Sequence, residues 1–407
     1  MSVLPKSELA LKRDIGLWLF ALYGAGNIIG AGIYVLVGKV AGEAGLFAPF
    51  AFIIAAIIAG LTGLSYGELG ARYPVSAGEA VYLQRAFHQR WLSIAVGLLI
   101  AMAGLVSAAT MARGFIGYFN VLFDVPSWLV VFVLVGLLTL VAARGIAESA
   151  RVAALLTLIS VGGLVWVIAV ASPNLVHLSE YTFSDLVPLT SVAWIGVAGG
   201  AFLAFYAFIG FEDMVNIAEE VQHPERNIPR GILLAFGLST VLYVLIALVA
   251  IVTLNTDSLA GSTAPLADVY ETATGEKAAF ISLIGLLAVI NGALIQIIMA
   301  SRIFYGMSRN GWLPEFLSSI NARSQTPLNA TLIAGVLVLL MALTLPLVGL
   351  AKATSGMVLI VFILINLSLL RIKRLEPLPE NVRPVPVWVP WLAMMFSTTI
   401  LVLSVWQ

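Results

Sequence analysis

Long runs of apolar residues separated by short polar segments repeat along the whole chain. A helix needs about 20 mostly apolar residues to cross the hydrocarbon core of a bilayer. Eleven such runs, here called spans 1 to 11, cover residues 15–38, 47–70, 92–119, 127–143, 149–171, 192–217, 231–253, 278–303, 328–348, 352–370 and 388–406. The runs are apolar on every face, unlike the alternating strands of a membrane β-barrel. The pattern predicts an all-α polytopic membrane protein with a single membrane domain over residues 1–407.

Composition narrows the class of protein further. Of the 407 residues, 61% are hydrophobic and 10% are charged, whereas soluble proteins carry about 25% charged residues. A water-soluble enzyme and a disordered chain are therefore excluded, and the balance of 21 basic against 21 acidic residues excludes a nucleic-acid binder. The chain has no cysteine and three dispersed histidines. We expect no metal and no cofactor.

The distribution of lysine and arginine predicts the orientation in the membrane. With the N-terminus inside, 17 of the 21 basic residues fall on the cytoplasmic side, as the positive-inside rule requires. The four that fall outside are Lys39, Arg113, Lys277 and Lys352. We therefore expect a multi-pass protein of the cell (cytoplasmic or inner) membrane with its N-terminus inside.

Two spans carry residues that do not suit a membrane helix. Span 1 has four glycines between Gly24 and Gly32, and span 6 has Gly210 followed by the acidic pair Glu212 and Asp213. Each glycine costs a helix about 1 kcal/mol, and acids inside a membrane mark functional sites by default. Since span 6 comes five spans after span 1, the second block of five starts from the opposite side. This predicts inverted repeats over about residues 15–171 and 192–370, an extra helix at about 388–406, and a transport site at the paired interruptions.

Unwinding both helices would expose complementary backbone groups. Free N–H groups near Gly30 and Gly32 suit a carboxylate, while free carbonyls near Asn27 and at residues 206–208 suit an ammonium group. Together they fit a zwitterionic amino acid. Two plainer interpretations stay open: Gly26 and Gly30 also form a helix-packing motif, and the acidic pair also fits a place where span 6 nears the cytoplasm.

Four stretches resemble one known family. Residues 24–34, 65–82, 207–230 and 301–314 are similar to signatures of the amino acid–polyamine–organocation (APC) superfamily, particularly bacterial amino acid permeases and cationic-amino-acid-transporter-like members. The resemblance implies a five-plus-five inverted-repeat fold with 11 helices here. It also implies secondary active transport of amino acids by alternating access, with substrate at the unwound centres of spans 1 and 6.

The resemblance also implies site residues. The substrate carboxylate would contact span 1 and the ammonium group would contact spans 1 and 6, through Ile28, Ile29, Gly30, Ala31, Gly32, Ala207, Phe208, Ile209 and Gly210. Ala31 stands where a hydroxyl residue is common, and Asn27 is a polar residue that can replace that contact or bond to backbone. Ser160 stands where several members carry a coupling lysine. The family usually has twelve helices.

Several alternatives stay open. A polyamine or another organic amine would prefer an acidic pocket, for which Glu212 and Asp213 are candidates. Asn291 and Gln296 are polar at mid-depth of span 8 and fit either the transport path or packing hydrogen bonds. The candidate polar or coupling residues are Asn27, Ser160, Glu212, Asp213 and Asn291. A proton, Na⁺ or an exchanged amino acid fits as co-substrate. An amino-acid sensor or a channel on the same fold is the alternative from another class. An enzyme is not expected, because the G-x-S-x-G match at residues 63–67 lies in a span and lacks the strand–turn–helix context.

Overall fold

The computed structural model describes residues 13–75, 78–143, 150–180, 187–309, 311–321 and 326–405. Four basic residues counted for the orientation, Lys6, Lys12, Arg144 and Arg323, lie outside these ranges, as does the side chain of Arg151. Helices dominate the described residues, which contain no β-strand beyond one isolated parallel bridge between Ile15 and Val221. The helices are α1 (Leu17–Ile28), α2 (Ala31–Ala44), α3 (Ala48–Arg72), α4 (Gly78–Phe87), α5 (Arg90–Leu122), α6 (Ser127–Ala143), α7 (Ala150–Ala171), α8 (Ser191–Phe205), α9 (Pro224–Thr253), α10 (Thr256–Gly261), α11 (Pro265–Thr274), α12 (Ala279–Arg309), α13 (Leu328–Thr344), α14 (Leu347–Leu375) and α15 (Trp388–Val405).

Every predicted span corresponds to helix. Span 1 is α1 plus α2, spans 2 to 7 are α3, α5, α6, α7, α8 and α9, and spans 8 to 11 are α12 to α15. Seven helical stretches are long and apolar enough to cross a membrane, and four shorter apolar helices account for α1, α6, α13 and α15. The prediction of an all-α polytopic membrane protein is therefore confirmed.

Three further helices lie between the spans. The pattern of apolar runs does not predict them because they are short. α4 has 10 residues and packs on α5 and α14. α10 and α11, with 6 and 10 residues, pack against α2. The approach is close, because a Cβ placed on Gly38 would lie 2.2 Å from the carbonyl oxygen of Leu259. The second half of span 1, α2, is therefore covered by the segment that follows span 7.

The helix pairs that pack together repeat after a shift of five spans. Spans 3 and 8 (α5 and α12), spans 2 and 7 (α3 and α9) and spans 4 and 9 (α6 and α13) pack as pairs. The contact of span 1 with span 7 has its counterpart in the contact of span 6 with span 2. Exchanging the first five spans with the second five therefore reproduces these contacts.

A buried ion-pair network ties α3 to α14 and to the segment that follows α14. The Glu68 carboxylate has no exposed side-chain area and accepts hydrogen bonds from Arg72 at 2.8 and 2.9 Å and from Lys373 at 2.6 and 2.8 Å. It also accepts from the backbone N–H of Val385 at 2.6 Å. One carboxylate thus gathers two cations and the chain between α14 and α15 at the end of α3.

Candidate functional site

The helix of span 1 is broken at Ile29 and Gly30, where α1 ends and α2 begins. Ile29 has φ −81° and ψ 67°, and the Gly30 N–H donates to the Ile28 carbonyl at 2.9 Å. This is the geometry of an inverse γ-turn. The first amide hydrogens of α2 have no helical carbonyl one turn before them, because those residues form the turn. The break predicted from the glycines is therefore present.

The helix of span 6 is broken at Ile209 and Gly210. After α8 a 3₁₀ turn covers Tyr206–Phe208, Ile209 is extended with φ −65° and ψ 139°, and Gly210 has φ +123°. Only glycine adopts such a φ without strain. The Gly210 N–H donates to the Glu212 carboxylate at 2.8 Å, and a second 3₁₀ segment, Glu212–Glu220, follows.

The two breaks touch each other. A Cβ placed on Gly32 would lie 2.4 Å from the Cα atom of Ala207, and one placed on Gly210 would lie 2.5 Å from the Asn27 carbonyl oxygen. Only hydrogen atoms fit between these backbones. The structure thus brings together the predicted residues of spans 1 and 6, which are Ile28, Ile29, Gly30, Gly32, Ala207, Phe208, Ile209 and Gly210. The backbone of Ala31 is part of α2, whereas its side chain lies outside the described residues.

A tyrosine from span 7 joins the two breaks. Tyr243 on α9 is fully buried, and its hydroxyl lies 2.7 Å from the Ile28 carbonyl oxygen and 2.9 Å from the Ala207 carbonyl oxygen. One hydroxyl proton is shared by both acceptors. The sequence offered no signal for this residue, because a tyrosine within an apolar span is also ordinary core.

A methionine from span 3 lies over the break in span 1. A Cβ on Gly30 would meet only the Cε atom of Met111, at 3.7 Å, and one on Gly292 of α12 would lie 2.8 Å from the Met111 sulfur. Met111 on α5 is therefore wedged between spans 1 and 8. Beside it on the same helix, Ser107 lies 3.0 Å from the hydroxyl of Tyr206, the first residue of the turn in span 6.

Asn27, Ser160 and Asn291 lie in different surroundings. Asn27 is buried at the end of α1, and neither atom of its amide has a hydrogen-bond partner. Ser160 on α7 donates to Leu156 in its own helix, and its carbonyl accepts from Tyr34 at 2.6 Å. Asn291 is buried on α12. An unsatisfied buried amide is costly, so Asn27 is the one of these three that fits a ligand contact.

The acidic pair belongs to a buried cavity. Glu212 and Asp213 are 8% and 6% exposed, and they line a cavity of about 30 Å³ together with Glu79 from α4. Gln296 of α12 donates to Asp213 at 3.2 Å. The pair is therefore not at a solvated helix end. Glu79 was not predicted as a site residue from the sequence, although it stands in the G-E-A-V-Y part of a stretch that resembles the family.

Glu79 lies in α4, outside the spans. The residue is 4% exposed. Burial, with a smaller contribution from the Asp213 carboxylate, raises the pKa of the Glu79 carboxyl to about 8. Removal from water disfavours the charged form of a carboxyl group.

An all-α membrane fold with contacting interruptions in the first and sixth spans is typical of secondary transporters. The sequence profile of the amino acid permease family matches residues 15–407, nearly the whole chain. The chain therefore belongs to the amino acid permease family, as the resemblance to the APC superfamily implied. The members of this family are transporters and not enzymes.

Named relatives cover most of the chain. It is 29% identical to the branched-chain amino acid permease BcaP of Bacillus subtilis, over 96% of this chain and 87% of that protein. It is 29% identical to the vacuolar cationic amino acid transporter 4 of Arabidopsis thaliana, over 87% of this chain. The human cationic amino acid transporter 4 is 27% identical over 91% of this chain. The matches span 62% and 61% of the plant and human proteins.

Proposed function

We propose that this permease moves an amino acid across the cytoplasmic membrane as a secondary active transporter. It binds its substrate at the broken centres of spans 1 and 6 and works by alternating access. The observation that carries the proposal is the direct contact of the two breaks, Gly32 with Ala207 and Gly210 with Asn27. One substrate placed there touches both halves of the chain, so its binding is coupled to their relative movement.

The substrate carboxylate would bind the first amide hydrogens of α2, at Ala31 and Gly32, where the helix dipole favours negative charge. The ammonium group would bind carbonyls of Phe208 and Ile209. The Ile28 carbonyl already accepts from Gly30 and from Tyr243, and a carbonyl has two lone pairs. An ammonium contact at Ile28 therefore requires Tyr243 to move.

The small size of the cavity beside the break in span 6 supports a cycle with conformational change. The cavity beside Ile209 has a volume of about 30 Å³, which holds a water molecule or two and excludes an amino acid. Residues 15–171 and 192–370 would be the inverted repeats that move, with the helix at 388–406 added. The shared set of helix neighbours supports this division, and the lysine and arginine count supports an N-terminus inside.

A second candidate substrate is a polyamine or another organic amine. It is favoured by one observation, the convergence of Glu79, Glu212 and Asp213 on a cavity next to the break in span 6. The charge of such a substrate would be neutralised by carboxylates. A proton, Na⁺ or an exchanged amino acid would supply the driving force.

Two measurements on purified protein test the proposal. Branched-chain, cationic and small neutral amino acids, putrescine and spermidine are screened for a rise in unfolding temperature, and the binders are then tested for counterflow in proteoliposomes. A carrier gives saturable counterflow, whereas a sensor binds without transport and a channel does not saturate in this way.

Variants locate the site. Gly210→Val places a branched side chain on the Asn27 carbonyl and should abolish counterflow. The control is Gly136→Val in α6, where an added Cβ meets nothing within 4 Å, and it should keep counterflow. Equal counterflow in both variants would show that the site is not at the breaks.

A further inference from the structure

Three carboxylic acids from two separate parts of the chain meet at one buried cavity. Glu79 comes from α4, and Glu212 and Asp213 follow the break in span 6; their exposed fractions are 4%, 8% and 6%. The cavity of about 30 Å³ also touches α3, α5, α12 and α14, and it is large enough for a water molecule.

No basic side chain lines this cavity among the described residues. The groups facing the acids are polar or weakly acidic. They are Tyr66 of α3, Ser107 of α5, Gln296 of α12 and Thr354 of α14, together with Tyr82 of α4 beside Glu79. The Gln296 amide donates to Asp213 at 3.2 Å, and the Gly210 N–H donates to Glu212 at 2.8 Å. Hydrogen bonds are thus present, but positive charge is not.

Glu68 in the same protein provides the contrast. It is also a buried carboxylate, and it is neutralised by Arg72 and Lys373. A buried ionised carboxylate without a cation is so unfavourable that the group takes up a proton instead. Three such groups side by side raise the cost further, because like charges oppose each other. The acids that line the cavity therefore require bound protons, whereas the ionised Glu68 carboxylate is balanced by its two cations.

An unpartnered hydroxyl points to an occupant of the cavity. The side chain of Tyr66 is fully buried and lines the cavity, and its hydroxyl oxygen faces the Glu79 carboxyl without completing a hydrogen bond of normal geometry. Its phenol interacts electrostatically with all three acids. A water molecule in the cavity would satisfy this hydroxyl and connect it to the carboxyl groups, which provides a path for a proton.

We propose that Glu79, Glu212 and Asp213 form an exchangeable proton site that couples transport to a proton gradient. The proposal rests on the proposed function. In the closed form the acids share protons; when the cavity opens and water enters, a carboxyl O–H bond breaks and the proton passes to water, leaving a hydrated carboxylate. The link to substrate is the Glu212 carboxylate, which accepts from the Gly210 N–H in the break of span 6. Protonation of Glu212 weakens that hydrogen bond and alters the break.

Proton movement in proteoliposomes is the first test. A pH-sensitive dye is sealed inside, and the amino acid that gives counterflow is added outside without any other gradient. The wild type should acidify the lumen as substrate enters. Glu79→Gln and Asp213→Asn should lose this acidification, and the control Glu380→Gln, which removes an exposed acid between α14 and α15, should retain it.

The outcomes separate the two proposals. Counterflow by the wild type without proton movement would overturn the proton site and leave the proposed function standing. Absence of counterflow with every amino acid and amine would overturn both. Proton movement that survives in Glu79→Gln and in Asp213→Asn would also overturn the proton site.

Infrared difference spectroscopy supplies a readout that does not need transport. Purified wild type should show the C=O band of protonated carboxyl groups at neutral pH, and this band should diminish in Glu79→Gln and in Asp213→Asn. It should be unchanged in Glu380→Gln. The same band in all four proteins would show that these acids are ionised, and the proton site would be wrong.

Discussion

Replacing Glu68 by glutamine removes the negative charge at the centre of the network that joins α3 to α14. The side chain keeps its shape, but one of its two terminal oxygens becomes an NH₂ group. Both oxygens now accept from donors, Arg72 and Lys373 on one and Lys373 and Val385 on the other. Either orientation of the amide therefore sets donor against donor and leaves two buried cations unneutralised.

The cost follows from the burial of the partners. The side chains of Arg72 and Lys373 are only 3% and 12% exposed. Removing one partner of a buried ion pair costs about 3–5 kcal/mol. With an unfolding entropy near 2 cal/mol/K per residue, this corresponds to a fall in the unfolding midpoint of about 4–6 °C.

Glu43→Gln is the matched control. Glu43 pairs with Lys352 at 3.3 Å, and the two side chains are 42% and 36% exposed. An exposed pair contributes about 0–1 kcal/mol, so this variant should unfold within about 1 °C of the wild type. The assay is intrinsic fluorescence during heating of both variants in one detergent.

A double variant tests the cause. Adding Lys373→Met to Glu68→Gln removes one of the stranded charges, so the double variant should lose less stability than the sum of the single losses. Equal midpoints for Glu68→Gln and Glu43→Gln, or strictly additive losses in the double variant, would refute the electrostatic reasoning.

Three further predictions follow from contacts at the site. Gly32→Ala forces its backbone about 1 Å away from that of Ala207 and should cost about 1–3 kcal/mol of stability. The control Gly237→Ala lies in open space on α9 and should raise the unfolding midpoint, because alanine favours helix by about 1 kcal/mol. Equal shifts of the midpoint in the two variants would contradict the close contact of Gly32 with Ala207. Tyr243→Phe removes a donor from the buried Ile28 and Ala207 carbonyls, of which Ile28 keeps its bond from Gly30, and should cost about 1–3 kcal/mol in the same melt. An unchanged midpoint would show that this tyrosine does not hold the two breaks together. The pKa of Glu79 is raised from 4.5 to about 8 by folding, so the contribution of this carboxyl to stability is fully present below its unfolded pKa and is lost as pH rises to about 8. The wild type should therefore melt lower at about pH 8 than at about pH 5, and Glu79→Gln should reduce that difference.

The positions of the helices were largely predictable because a bilayer imposes one requirement on each span. A run of apolar residues long enough to cross the hydrocarbon core must be helical, since no water is present to satisfy its backbone. The bounds of span 4 at residues 127 and 143 were therefore read directly from the sequence. α4, α10 and α11 were not predicted, because helices of 6 to 10 residues between spans depend on packing.

The breaks in spans 1 and 6 were also predictable, since glycine weakens a helix wherever the helix lies. That the two breaks would lie together was inferred from the topology of the repeats, and in the structure they make contact through Gly32 and Gly210. Which groups meet there was not predictable. Tyr243 and Met111 are ordinary residues of apolar spans, and only the packing of α9 and α5 brings them to the breaks.

The sequence by itself determined that this protein is a polytopic helical membrane protein with two interrupted spans, because hydrophobic length and helix propensity are local properties. Only the tertiary structure decided the charge balance of the buried acids. Glu68 lies near Arg72 in sequence but gains Lys373 from α14, whereas Glu79 shares its cavity with Glu212 and Asp213 and with no cation from the described part of the chain. The physical reason is that the electrostatic energy of a buried group depends on its neighbours in space, and those neighbours come from segments far apart in the chain.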